Sequence, residues 1–142
     1  MKSTNKIICL IFLIPIVLIA IVFGVAANQN NSRITMHEDY IEFDSLTYDK
    51  VFYEDIKDIK FLNEWTIHGN KDGVGFSNNN YFSGDAYIEN IGECRAYVYY
   101  KKNYCIVLKA KNIIAFNLNS KQETEELYEM LLNKVEVLKH EK

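Results

Sequence analysis

The sequence contains no C-x-x-C pair, no H-x-x-x-H pair and no G-x-S-x-G turn. The possible metal ligands His37, His68, Cys94, Cys105 and His140 therefore stand apart without paired spacing, which argues against a zinc-type site. Without a nucleophile elbow, Ser83-Gly84-Asp85 reads as a turn entering a strand. Four of the six glycines, Gly69, Gly73, Gly75 and Gly84, fall between Trp65 and Gly84, but no Lys-Ser or Lys-Thr pair follows them and no helix signal begins there. That argues against a phosphate cradle of the P-loop kind and favours tight turns as their reason. Basic charge is scarce too. Beyond Lys2 and Lys6, 14 Lys and Arg face 19 Asp and Glu, a net of -5, which argues against nucleic acid as a partner. The imbalance is local: Arg33 to Glu93 holds 5 basic and 13 acidic residues, while Cys94 to Lys142 holds 9 and 6.

What is present begins with Ile7 to Ala27, an uncharged apolar run behind a stub of residues 1–6. At about 1.5 Å per residue a helix of this length covers the roughly 30 Å hydrocarbon core of a bilayer, so 7–27 is expected to be a single transmembrane helix. Lys2, Lys6 and the amino terminus precede it, and only Arg33 lies beyond it before Lys50, which puts the N-terminus in the cytoplasm and the remainder outside. The run exceeds the core of an ordinary signal peptide, yet Val25-Ala26-Ala27 offers small residues for cleavage, and a secreted domain is the alternative. Pro15 is expected to kink the helix, and Cys9, near its start, reads as a buried apolar thiol. Asn28 to Ser32 is a polar linker, and the residues from 33 to 142 have the size of one domain.

The domain reads as mainly β with one C-terminal helix. Ile34 to His37 and Tyr40 to Phe43 form strands around a Glu38-Asp39 turn, with Lys50 to Tyr53 and Ile56 to Leu62 next. Trp65 to Gly84 is expected to be loop or weakly paired edge. Asp85 to Glu89 is a strand, and Arg95 to Tyr100 and Cys105 to Ala110 are expected to pair as a hairpin across Lys101 to Tyr104. Along them Ala96 and Val98 point one way and Arg95, Tyr97 and Tyr99 the other, while Ile106 and Leu108 alternate with Val107 and Lys109. Ile113 to Leu118 ends the sheet. Ser120-Lys121-Gln122-Glu123 fits a capping box for a helix over about 120–138, whose apolar face is Thr124, Leu127, Tyr128, Leu131, Val135 and Leu138.

In the hairpin register Cys105 lies opposite Tyr100 and Cys94 opposite Lys111, which separates the thiols by on the order of 15 to 20 Å of strand. Two free thiols follow, with strand slippage or an intermolecular bridge as the alternatives. The acidic pairs Glu38-Asp39 and Glu54-Asp55 read as solvated turns, and Trp65 with Phe61 as cover for one end of the core.

From about Tyr48 to Leu132 the chain resembles the bacterial pleckstrin-homology (PH)-like family. The residues that carry this are Tyr53-Glu54-Asp55-Ile56 with Ile59, Asp72-Gly73-Val74-Gly75-Phe76, Ser83-Gly84, Gly92 before Ala96-Tyr97-Val98, and Phe116-Asn117-Leu118 leading to Thr124-Glu125-Glu126-Leu127-Tyr128. The resemblance implies a seven-stranded, bent antiparallel barrel capped by the C-terminal helix. It also implies a non-enzymatic binding or scaffolding module with no cofactor.

Relatives of that fold that bind phosphoinositides use basic residues at the first hairpin. Here His37, Glu38 and Asp39 occupy it, so that ligand is disfavoured. Lys101, Lys102, Lys109 and Lys111 would face anionic lipid if they shared a surface. The expectation is a membrane-anchored module for a protein or envelope partner, added as a strand or helix to a sheet edge near the glycine-rich segment. Trp65, Phe76, Tyr81, Phe82, Lys101 and Lys102 are the candidate interaction residues. The alternative is an envelope hydrolase or metal-dependent enzyme using the Trp65 to Gly84 loop.

Overall fold

The computed structural model describes residues 33–45, 47–69, 75–77 and 80–140. The expected membrane helix at 7–27, with Cys9 and Pro15, and the linker 28–32 lie outside them. Alternation of large apolar and polar residues drives the first elements. In β1 (Arg33–Met36), β2 (Tyr40–Asp44) and β3 (Tyr48–Phe52), Ile41, Phe43 and Val51 are buried while Tyr48, Lys50 and Phe52 are exposed. These strands form a three-stranded antiparallel meander, with the expected turn at Glu38-Asp39. A 3₁₀ turn at Tyr53–Asp55 then leads into β4 (Asp58–Leu62).

A seven-stranded sheet follows, built from β4 with β5 (Ile67–Gly69), β6 (Gly75–Ser77), β7 (Tyr81–Ile88), β8 (Gly92–Tyr99), β9 (Cys105–Lys109) and β10 (Ile113–Phe116). Its order is β4-β9-β10-β8-β7-β5, with β6 also on β7. β5 and β6 share one edge. Gly69 pairs with Ala86 and Gly75 with Gly84, so the described residues of β5 and β6 meet β7 on either side of Asp85. The weakly paired edge expected between Trp65 and Gly84 is thus present, although β7 already begins at Tyr81.

Two expectations fail. The strands do not close into a seven-stranded antiparallel barrel: they form two sheets, and β8 runs parallel to β10. Nor do β8 and β9 pair as a hairpin, because β10 lies between them. Asn117, almost fully buried, accounts for the insertion. Its Oδ1 accepts the Tyr99 N–H at 2.7 Å, and its Nδ2 donates to the carbonyls of Tyr104 at 2.9 Å and Tyr99 at 3.2 Å. This side chain takes the bonds that the end of β8 and the start of β9 would otherwise exchange.

The seven-stranded sheet must curl. β4 and β5 are its opposite edges, five strand spacings or roughly 24 Å apart if flat, yet residues 63–66 join them and reach at most about 18 Å. Curling encloses one face, lined by Ala86, Ala96, Val98, Cys105, Val107 and Ala115. The other face carries Tyr81, Tyr97, Ile106, Leu108, Ile114 and Phe116 and packs against the meander and the helix. Phe43 links the sheets, stacked on Tyr97 with centroids 5.1 Å apart and edge-on to Phe116 at 4.9 Å.

Helix α1 (Lys121–His140) starts as expected, with Ser120 Oγ accepting the Glu123 N–H at 3.1 Å. Buried Thr124 donates to the Ser120 carbonyl and accepts the Leu118 N–H, which fixes the strand-to-helix corner. Leu131 and Val135 enter the core, Leu127, Tyr128 and Leu138 pack beside them, and Tyr128 meets Phe61 edge-on. Among the described residues no helix is long and apolar enough to cross a membrane.

Candidate binding cleft

Between the meander and the seven-stranded sheet the chain leaves a cleft of about 540 Å³, whose lining includes Asp49, Asp85, Glu93, Cys94, Arg95 and Lys111. Strand geometry assembles it. Asp85 and Arg95 pair directly across β7 and β8, with Tyr87 and Glu93 as the pair two residues on. The odd-numbered residues of β7 and β8 face the meander, so the row Tyr97, Arg95, Glu93 passes from the core out into the cleft. Asp49 of β3 meets this row from the other sheet.

Arg95 sits between two carboxylates, its Nε 2.9 Å from Asp85 Oδ1 and 3.8 Å from Asp49 Oδ2. The fully buried Tyr97 donates its hydroxyl to Asp49 Oδ2 at 2.6 Å and accepts from Thr47 Oγ1 at 3.2 Å. Burial, and then the hydrogen bond to Asp49, push the Tyr97 phenol upward, so it remains a donor. A second contact across the sheets joins the Ser45 and Ser83 hydroxyls at 2.7 Å. The cleft wall is therefore held by a chain of hydrogen bonds that reaches the core.

Cys94 lines the cleft but belongs to the enclosed core face. Burial, and next the Asp85 carboxylate, push its thiol up to about 11. Cys105 is pushed up to about 12 by burial and then by Cys94. Both cysteines are free. They are free for another reason than the expected hairpin register: Cys94 pairs with Ala86 and Cys105 with Leu62, on strands separated by β10. Neither thiol is poised to act as a nucleophile, since the thiolate is the reactive form. Among the described residues no group of three or more His, Cys, Asp and Glu is placed to hold a metal ion.

The six candidate interaction residues are not brought to one surface. Trp65 and Phe82 both pack partly buried against the enclosed face. The buried Trp65 Nε1 has no hydrogen-bond partner among the described residues. Phe61 packs on the other face with Tyr128, so Trp65 and Phe61 do not jointly cover one end of the core. Tyr81 is buried in the larger core. Phe76 lies in β6 opposite Ser83, and its side chain is outside the described residues. Lys101 and Lys102 occupy the turn before β9, whereas Lys109 and Lys111 lie at the far end of that strand, so the four lysines do not share a surface.

The cleft residues were less visible in the sequence. Alternation alone puts Arg95 and Tyr97 on one face, but Asp85 joins them only through the β7/β8 register, and Asp49 only through the packing of one sheet on the other. The chain matches no protein-family model, no curated protein and no solved structure.

Proposed function

We propose that the chain is a membrane-anchored, non-enzymatic binding or scaffolding module. In this reading residues 7–27 cross the membrane once, the N-terminus is cytoplasmic, and the domain holds a protein or envelope partner at the outer face. The domain is taken as a PH-like fold whose barrel has opened into two sheets, which keeps the family order of strands followed by a closing helix.

The observation that carries the binding-module part of this reading is the Asp49–Arg95–Asp85 arrangement. Catalysis calls for an activated nucleophile or for an acid or base tuned close to neutral pH. In the cleft Arg95 is flanked by two carboxylates, Asp49 is engaged by Tyr97, and the nearby thiol stays protonated. Fixed donors and acceptors around an open hollow suit recognition instead.

The test is site-specific photo-crosslinking in native membranes. A photoreactive residue replaces either Tyr87, exposed beside the cleft, or Val137, exposed on α1. A discrete partner adduct from position 87 and none from position 137 is expected. Identical adducts from both positions, or none from either, would overturn the reading.

A further inference from the structure

We infer that the outer edge of β3 accepts an extended basic peptide segment as a fourth strand of the meander; this rests on the binding-module reading above. β3 is the terminal strand of its sheet among the described residues. The Tyr53 N–H bonds the Asp39 carbonyl at 3.0 Å, and antiparallel ladders alternate. Val51 and Asp49 therefore bond inward to β2, while the backbone N–H and C=O groups of Tyr48, Lys50 and Phe52 point out of the sheet.

A smaller hollow of about 130 Å³ runs along this edge, between Asp49, Lys50 and Val51 on one side and Lys111 and Asn112 on the other. It shares Asp49, Lys111 and Asn112 with the larger cleft, so edge and cleft are continuous. The β9–β10 turn walls the groove on its far side. With the turn standing beside the strand, the inferred occupant is a single extended chain and not the sheet edge of a second folded copy. Strand addition supplies affinity through main-chain bonds, and alternate side chains of the added strand would enter the cleft.

Charge selects the occupant. The lining of the larger cleft carries three carboxylates, Asp49, Asp85 and Glu93, against the two cations Arg95 and Lys111. The Lys50 ammonium is drawn over the Tyr40 ring, 3.6 Å from its centroid, on the opposite side of the strand from Asp49. Lys111 is left as the exposed counter-charge. The surplus over the cleft lining is negative by one charge, so basic side chains are favoured.

The test uses the full chain in lipid nanodiscs with two short peptides, one alternating Lys and Thr and one alternating Glu and Thr. The basic peptide is expected to bind about tenfold or more tightly than the acidic one and to slow amide exchange at Tyr48, Lys50 and Phe52. Lys50→Pro removes an outward N–H at an edge position where proline is tolerated, and should weaken binding by about tenfold or more. Glu93→Gln should narrow the preference for the basic peptide. Protection along Ile67 to Ser77 instead would overturn this inference while leaving the binding module intact. Equal binding of both peptides, or of neither, would also overturn it, and the adduct from position 87 then decides separately whether the module reading survives. Should Lys50→Pro fail to fold, the exchange pattern of the unaltered chain decides.

Discussion

The two faces of the seven-stranded sheet bury comparable numbers of residues with very different side chains. The face toward the meander and helix is filled by Tyr81, Tyr97, Ile106, Leu108, Ile114 and Phe116, and the enclosed face mostly by small residues, Ala86, Ala96, Ala115, Val98, Val107 and the two cysteines, with Ile88, among the described residues, the one large side chain fully buried there. Neighbouring residues of one strand supply both, as Tyr97 and Ala96 do in β8. Large groups on one side and small ones on the other let the sheet bend toward the small side, and the short link from β4 to β5 requires that bend. The enclosed face depends on small residues at Ala86, Ala96 and Ala115, while the aromatic face depends on ring contacts. Each face should consequently fail in its own way.

Removing a ring from the aromatic face should have the largest effect. Phe116→Ala is expected to cost about 3–5 kcal/mol, read as a lowered denaturant midpoint, because it deletes the edge contact to Phe43 and leaves a cavity. On the enclosed face the damaging change is enlargement. Ala96→Leu should cost about 1–3 kcal/mol through overpacking, while the same residue placed at exposed Val137 should change little. If Ala96→Leu is neutral, the enclosed face has room and the comparison breaks.

Much of this contrast could be read from sequence, and some could not. Alternation in Arg95 to Tyr99 and Ile106 to Lys109 places side chains on the correct faces, and the capping residues and apolar stripe of α1 describe a helix close to the observed one. Strand neighbours were not legible in the same way. A turn-rich Lys101 to Tyr104 between two β-rich runs favours a hairpin locally, and the buried Asn117 that lets β10 enter between β8 and β9 acts only once the chain has folded. The cleft inherits that difficulty. Its residues Asp49, Asp85 and Arg95 come from three strands whose adjacency is a property of register and sheet packing.

Smaller effects sharpen the comparison. Gly92, at the β7–β8 turn, has φ +98° with open space where a Cβ would stand, so Gly92→Ala should cost about 1 kcal/mol through backbone conformation alone. The thiols report on the enclosed face. Unfolded, each ionises near its ordinary value of 9.0; folded, Cys94 resists to about 11 and Cys105 to about 12. Their contribution to stability is therefore fully present below about pH 9 and is lost as pH rises through those folded values. Denaturant midpoints should fall over this range, and less steeply in Cys105→Ala. A slope unchanged by that substitution would place Cys105 in water.

The most direct measurement of the central claim is amide hydrogen exchange on the full chain, compared between native membranes and purified lipid. If the inter-sheet cleft is a recognition site, native membranes should add protection at Asp49, Asp85, Glu93 and Arg95 and leave the exposed residues of α1, including Met130 and Val137, unchanged. Identical exchange in the two preparations, or protection confined to α1, would contradict it.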